Sequence, residues 1–430
     1  MIIIVGAGLG GLVCARTLQR ATQAVIVLEA SDGVGGRIRS DVANGFILDR
    51  GFQVLFTAYP AARRQLDYGR LDLRAFEPGA IISQAAHRSV LGDPLRSPGD
   101  FLPSLLTRIV TAADKVRTLK LVAEVTAKSV DAIMDGPDQT TECFVRARGF
   151  SERFINNFVR PFFGGVWLDD SLCTSAKAFQ FDMKMLSEGQ TVIPARGMGQ
   201  ITAQIAEELF AQDAIRLHAP VASLVRDRGG RYIGARLESG EEITGEAVVV
   251  ATSAPEAGRL TGKPMPAGQT GTVNLYYAGS APLYRGRKLL LHANQKPFLN
   301  NMVQVSNVAP EQAPPGQHLV SATALGVYED SDDALFERGL ADLRLIFAGD
   351  QAALAALRTY RPLALYRIPY SQFAQPPGVY ETLPESDSGE PGLYFAAEFT
   401  AASSQNAAML SGEIAAQLVL KHLGAGNGPM

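Results

Sequence analysis

Three glycines and one acid near the start of this 430-residue chain carry its densest chemical signal. Gly6, Gly8 and Gly11 stand in the spacing Gly-x-Gly-x-x-Gly, with Ala7, Leu9 and Gly10 between them. The apolar run Ile2–Val5 precedes the glycines, and a helical pattern from Leu12 to Arg20 follows. The first glycine permits a tight strand-to-helix turn, the second lets a pyrophosphate approach the backbone, and the third lets helix pack close on strand. The helix N-terminus then offers free N–H groups and a positive dipole end to phosphates. A second apolar run, Val25–Leu28, ends at Glu29, 18 residues after Gly11. A carboxylate there accepts hydrogen bonds from ribose hydroxyls. A glycine turn in an ordinary α/β domain is the plain alternative, but strand, helix, strand and acid all stand where a dinucleotide site needs them. Glu29 does not by itself separate NAD from FAD.

The residues that follow make that separation. Glu29, Ala30 and Ser31 lead through Asp-Gly-Val to Gly35, Gly36 and Arg37. This segment resembles the E-A-x-x-x-x-G-G-R/K stretch of the flavin amine oxidases, phytoene desaturases and protoporphyrinogen oxidases. An arginine beside a diphosphate would supply charge-assisted hydrogen bonds. The resemblance continues through Leu48–Pro60, which is similar to a desaturase segment passing the flavin ring and implies that Gly51, Phe52 and Gln53 line that ring. It returns at Gly392–Glu398 and in the helical pattern from Ser403. The family's second flavin segment lies there, which implies cofactor contacts at Glu398, Gln405, Asn406 and Ala407. A helix N-terminus at the flavin would stabilise the negative charge of the reduced ring. In the strand-like runs 217–226 and 246–251, the resemblance implies further contacts at Val221 and Ala251. For Val221, adenine contact and plain sheet packing both fit the pattern.

The resemblance implies an α/β fold: a discontinuous Rossmann-like FAD-binding domain with a mixed-sheet and helical substrate domain. The expected division is 1–90, 191–260 and 385–430 for FAD, and 91–190 with 261–384 for substrate. The implied activity is FAD-dependent oxidoreduction, with hydride passing from an apolar, polyene-like or cyclic substrate, or an amine, to flavin N5. The rivals are a true amine oxidase releasing hydrogen peroxide, a redox-neutral flavin-dependent isomerase, and a non-catalytic flavoprotein. Some relatives attach flavin covalently through a cysteine shortly before the last segment. Cys14, Cys143 and Cys173 all lie elsewhere, so FAD is expected to be non-covalent. Two departures disfavour an amine. Asn274 stands where many amine oxidases carry a lysine, and Ser404 where they carry an aromatic. A third departure, Ala397 in place of the usual glycine before the terminal acid, is tolerable while φ stays negative.

Composition bounds the remaining possibilities. The chain is 47% hydrophobic and 19% charged, as globular proteins are. A net charge of −3 gives no footprint for nucleic acid, and no apolar run reaches membrane-span length. Three scattered cysteines favour a reducing, cytoplasmic setting. The histidines at 87, 218, 292, 318 and 422 show no metal or triad spacing, so no metal is expected and no catalytic side chain is assigned. The expected partner is a small, apolar molecule, and oligomeric state is left open.

Residues 101–110 and 115–125 show helical spacing. Their apolar faces would roof the active site, or alternatively touch a membrane surface. Arg160–Trp167, with paired aromatics and glycines, suggests a tight turn against the pocket or an aromatic core. Runs between 272 and 325 alternate like strands of a mixed sheet. Asp332–Phe347 and Gln351–Leu357 are helical in pattern. Lys296 is a candidate substrate-site lysine, although a solvated turn also fits.

Overall fold

The computed structural model describes residues 1–84, 87–92, 109–294 and 296–425. Most of the expected helix at 101–110 therefore lies outside the described residues. Five short parallel strands form the first sheet, in the order Ile215–Arg216, Val25–Leu28, Ile2–Val5, Ala247–Val250 and Leu393–Phe395. The fingerprint strand is central, with Ile2 opposite both Val25 and Ala247. Side chains alternate across the pleat, so Ile2 and Ile4 enter one core while Ile3 and Val5 enter another. That two-sided burial explains why these strands read as continuous apolar runs.

The helix Leu9–Arg20 covers one face beside the long helix Gln405–Ala425. Their approach is set by glycine: a Cβ on Gly412 would stand 2.4 Å from the Gly10 carbonyl oxygen. The opposite face carries an antiparallel three-stranded sheet, Val221–Arg226, Tyr232–Leu237 and Glu242–Thr244. Residues distant in sequence thus converge on one nucleotide-type sheet.

The second large sheet has seven strands. Arg361–Phe373, Gln269–Gly279, His318–Leu325, Asn301–Gln304, Leu289–His292, Ala80–Gln84 and His87–Leu91 lie side by side. All pair antiparallel except Leu289–His292 with Ala80–Gln84. The division expected at residue 90 therefore falls two strands late, because 80–91 finds its backbone partners here. Helices Asp332–Ile346 and Gln351–Leu357 cover one face.

A helical block built around Ala112–Ala127 and Ala176–Glu188 meets the other sheet elements through an aromatic core. Arg160–Trp167 is not a tight turn but a helix, entered from the π-helical stretch Ile155–Val159. Pro161 follows closely on that stretch and has no amide N–H to give to the preceding turn. Gly164 and Gly165 serve close packing, since added Cβ atoms would stand 3.1 Å from Asp170 Cα and 2.8 Å from Asn301 Nδ2. Phe154, Phe158, Phe162, Phe163 and Trp167 follow one another at centroid spacings of 5.0–5.4 Å.

Candidate functional site

One cavity of about 1850 Å³ runs from the glycine turn to this aromatic ladder. Single-ligand pockets span roughly 300–1,000 Å³, so this one has room for a dinucleotide and a second molecule.

The nucleotide end is built by the fingerprint. Gly6 has φ +103°, and a Cβ there would stand 2.8 Å from the Ala251 carbonyl oxygen. Gly8 differs: its nearest neighbour would be Ala251 O at 3.9 Å, leaving its backbone open to the cavity. Across the gap, Gly36 has φ +56° and would meet only Gly8 Cα, at 3.5 Å. Glu29 is held at the strand end from both sides. Its Oε2 accepts the Ala7 N–H at 2.8 Å, and its Oε1 accepts from Ser31 N and Oγ at 2.9 and 2.7 Å. Ala7 and Ser31 thus stand behind the acid rather than on the cavity wall, and Gly11 packs against the Gly6 carbonyl. All the other cofactor contacts expected from sequence line the cavity.

Those residues do unequal work. Arg37 Nη2 stands 2.6 Å from Glu398 Oε1, and its Nη1 donates to Ser371 O at 2.7 Å. The Glu398 contact is an ion pair that leaves the buried Oε1 without an aligned hydrogen bond. Gln53 Nε2 donates to Arg37 O at 2.7 Å, fixing the two loops together. Gln405 Nε2 donates to Val54 O at 3.2 Å, while its buried Oε1 has no partner. Asn406 Oδ1 is spent on Ala61 N–H at 2.9 Å, so this side chain ties the last helix to the helix Pro60–Gln65. The Val221 carbonyl accepts from Arg259 Nη2 at 2.9 Å. Ala397 has φ −144°, an extended conformation open to alanine.

The two amine-oxidase departures acquire physical reasons. Ser404 caps the last helix, its Oγ accepting the Ala407 N–H at 3.1 Å. Asn274 is fully buried within the seven-stranded sheet, where its Oδ1 accepts from Ser321 and Thr323 hydroxyls at 3.1 and 3.2 Å. It does not reach the cavity, although its neighbours Thr272 and Thr323 do. Lys296 is exposed on a left-handed turn and lies off the cavity.

The far end is apolar and aromatic, with Phe158, Phe162, Trp167, Leu186 and Met183 among its walls. From the helix Ala112–Ala127, Leu119 and Val122 line it, although Leu119 is 56% exposed, whereas Val116 faces away and is 52% exposed. The helix is therefore only partly inward-facing. One acid that the sequence reading missed, Asp182, opens into this end. Its signal was legible: on the helix Ala176–Glu188 it shares the apolar face of Phe179, Met183 and Leu186.

Open glycines, a ribose-type acid and the unpaired buried oxygens of Glu398 and Gln405 fit an extended dinucleotide. A family model for flavin containing amine oxidoreductase matches residues 9–420. The chain belongs to the flavin-containing amine oxidoreductase family. Members are FAD-dependent oxidoreductases, and FAD is the cofactor of this amine oxidoreductase family protein. It is 27% identical to protoporphyrinogen oxidase 2 of Arabidopsis thaliana, over 41% of its own length and 34% of the relative's. It thus spans about a third of that relative. It is 24% identical to 15-cis-phytoene desaturase of Narcissus pseudonarcissus, covering 98% of this chain and 79% of the other. Among solved structures, a putative protoporphyrinogen oxidase from Exiguobacterium sp. 255-15 superposes with TM-score 0.74 at 17% identity, covering 98% of both chains. Putrescine oxidase superposes with TM-score 0.71 at 19% identity, again over 98% of both. These likenesses fix the amine oxidase-type fold. Among the described residues, no helix is long and apolar enough to cross a membrane.

Proposed function

We propose that this protein dehydrogenates a small, mostly apolar molecule, cyclic or polyene-like, across a carbon–carbon or carbon–nitrogen bond. The observation that carries this reading is the single cavity joining the glycine turn to an aromatic-walled chamber. Bound non-covalently in the near half, FAD supplies a two-electron acceptor. Gly6, Gly8, Gly36 and Arg37 receive its phosphates, and Glu29 its ribose. The capped start of the helix Gln405–Ala425 directs N–H groups to the ring end, where they favour negative charge. Phe158, Phe162 and Trp167 orient the substrate and exclude water. Asn274 and Ser404, which stand where many amine oxidases carry a lysine and an aromatic, support dehydrogenation of such a substrate over a true amine oxidase.

The test is the stoichiometry of turnover. Substrate oxidation is expected to consume one equivalent of an external acceptor, oxygen or a quinone, per product formed. Conversion without acceptor consumption would instead support an isomerase and overturn this reading.

A further inference from the structure

Across the cavity floor runs a polar row on the seven-stranded sheet. Asn274, Thr323 and Asn301 stand directly opposite one another on three neighbouring strands, so their side chains share one face. Thr323 and Asn301 line the cavity, while Asn274 is fully buried beside them. The row lies between the two ends of the site. Two residues before Asn274, Thr272 also lines the cavity and pairs with Ile368, whose Cδ1 would stand 2.6 Å from a Cβ on Gly51. At the aromatic wall, Gly165 leaves room for the Asn301 carboxamide, since a Cβ there would stand 2.8 Å from Nδ2.

Several polar groups around this row are already spent. Asn300, next to Asn301, donates from Nδ2 to Pro161 O at 2.9 Å, and Thr272 Oγ1 donates to Ala324 O at 2.9 Å. Asp182, the acid of the chamber, accepts the Trp167 indole N–H at 2.8 Å. Two groups keep capacity. Thr323 Oγ1 gives its hydrogen to Asn274 Oδ1 at 3.2 Å, which leaves the lone pairs of the hydroxyl as an acceptor. Asn301 is only 3% exposed, yet among the described residues nothing hydrogen-bonds its carboxamide.

A buried amide without a partner is costly, and a ligand that supplies the partner recovers that cost. A free N–H donor beside a free acceptor, in a chamber otherwise apolar, matches a hydroxyl, which both accepts and donates. We propose that Asn301 and Thr323 form a hydroxyl-binding subsite, with Asn301 Nδ2 donating to the substrate oxygen and Thr323 Oγ1 accepting its hydrogen. This rests on the reading of the cavity above, and it narrows the apolar substrate to a cyclic or polyene-like alcohol. Binding there fixes one end of the molecule between the Gly51 segment and the aromatic wall. No covalent bond is made or broken in the subsite.

The experiment uses FAD-loaded protein, with benzyl alcohol and its near-isostere ethylbenzene as probes. Binding is followed by the flavin absorbance and by the emission of Trp167, the only tryptophan, in the chamber wall. Asn301→Leu is expected to weaken benzyl alcohol at least tenfold and to leave ethylbenzene as tight or tighter. Thr323→Val keeps the shape of the side chain and should do the same. Unchanged benzyl alcohol affinity, or parallel losses for both probes, would overturn the subsite. Failure of benzyl alcohol to bind the FAD-loaded wild type would also overturn it. Should the variants not hold FAD, the wild type decides alone: benzyl alcohol must bind more tightly than benzyl methyl ether, which accepts a hydrogen bond but cannot donate one. Equal affinities for alcohol and ether would overturn the proposal. Failure of the wild type itself to hold FAD would instead overturn the reading of the cavity.

Discussion

Arg37 reaches Glu398 at 2.6 Å, so the residue closing the Gly35-Gly36 turn meets the acid that ends the last strand of the nucleotide sheet. Chain segments from opposite ends of the sequence are clasped there by one ion pair. Glu398 is nearly buried, with its side chain 6% exposed, and Arg37 is partly open, at 35%. Removing the arginine strands a buried carboxylate, whereas removing both charges does not.

Arg37→Ala is therefore expected to destabilise the apoprotein by about 1–3 kcal/mol. Adding Glu398→Gln should recover much of that loss. Urea unfolding of the two single variants and the double variant measures the coupling. Strictly additive losses would show that the pair does not clasp the two segments.

Gly8 and Gly10, two residues apart, should behave oppositely. A Cβ on Gly10 would stand 2.1 Å from the Ala396 carbonyl oxygen, and backbone cannot yield cheaply. Gly10→Ala is expected to cost about 1–3 kcal/mol of fold stability. A Cβ on Gly8 meets nothing closer than 3.9 Å and projects where phosphates would lie. Gly8→Ala should leave apoprotein stability within about 0.5 kcal/mol, as at uncrowded sites. It should nevertheless weaken FAD binding at least tenfold. Calorimetric titration with FAD checks this, and wild-type affinity in Gly8→Ala would contradict the phosphate placement.

Glu29→Ala removes the acceptor for the ribose hydroxyls and releases Ala7 N–H and Ser31. Hydrogen bonds to a charged group contribute about 1.5–3 kcal/mol, which corresponds to a loss of roughly 10–100-fold in FAD affinity. The variant should fold. Unchanged FAD retention through gel filtration would remove the acid from the site.

Asp49 supplies a pH signature of the fold. It is buried, accepting from Ser40 Oγ at 2.6 Å and Met198 N at 2.8 Å, and burial pushes it up to about 6. A raised carboxyl means that the folded state holds its proton more tightly than the unfolded chain. This group's contribution is thus fully favourable below pH 4 and declines as pH rises through 6. Two units correspond to roughly 3 kcal/mol. The stability difference between Asp49→Asn and wild type should shift in favour of the variant across pH 4–6, then level off. A pH-independent difference in urea midpoints would contradict this.

The nucleotide half was legible because its signals are local. The spacing of Gly6, Gly8 and Gly11 and the acid at 29 act through backbone geometry that neighbouring residues dictate. Ala397 was also readable, since only the sign of φ mattered. Partnership across the fold was not. Nothing near Asn406 in sequence shows that its carboxamide is spent on Ala61 N–H, or that Arg259 takes the Val221 carbonyl. Arg160–Trp167 misled because glycine pairs signal turns locally, whereas here they clear space for Asp170 and Asn301. Residues 80–90 fell in the nucleotide half of the expected division, but the strand Ala80–Gln84 finds its backbone partner in Leu289–His292. Asp182 was legible as an acid at helical spacing from Phe179, Met183 and Leu186, but the apolar walls around it are brought by other segments.

The most direct measurement is the absorption spectrum of the purified, FAD-loaded protein before and after anaerobic mixing with amines, a polyene in detergent and a porphyrinogen. The account predicts a bound-flavin spectrum that bleaches with a mostly apolar member of that set. A protein that shows no bound flavin even after FAD is added would contradict it.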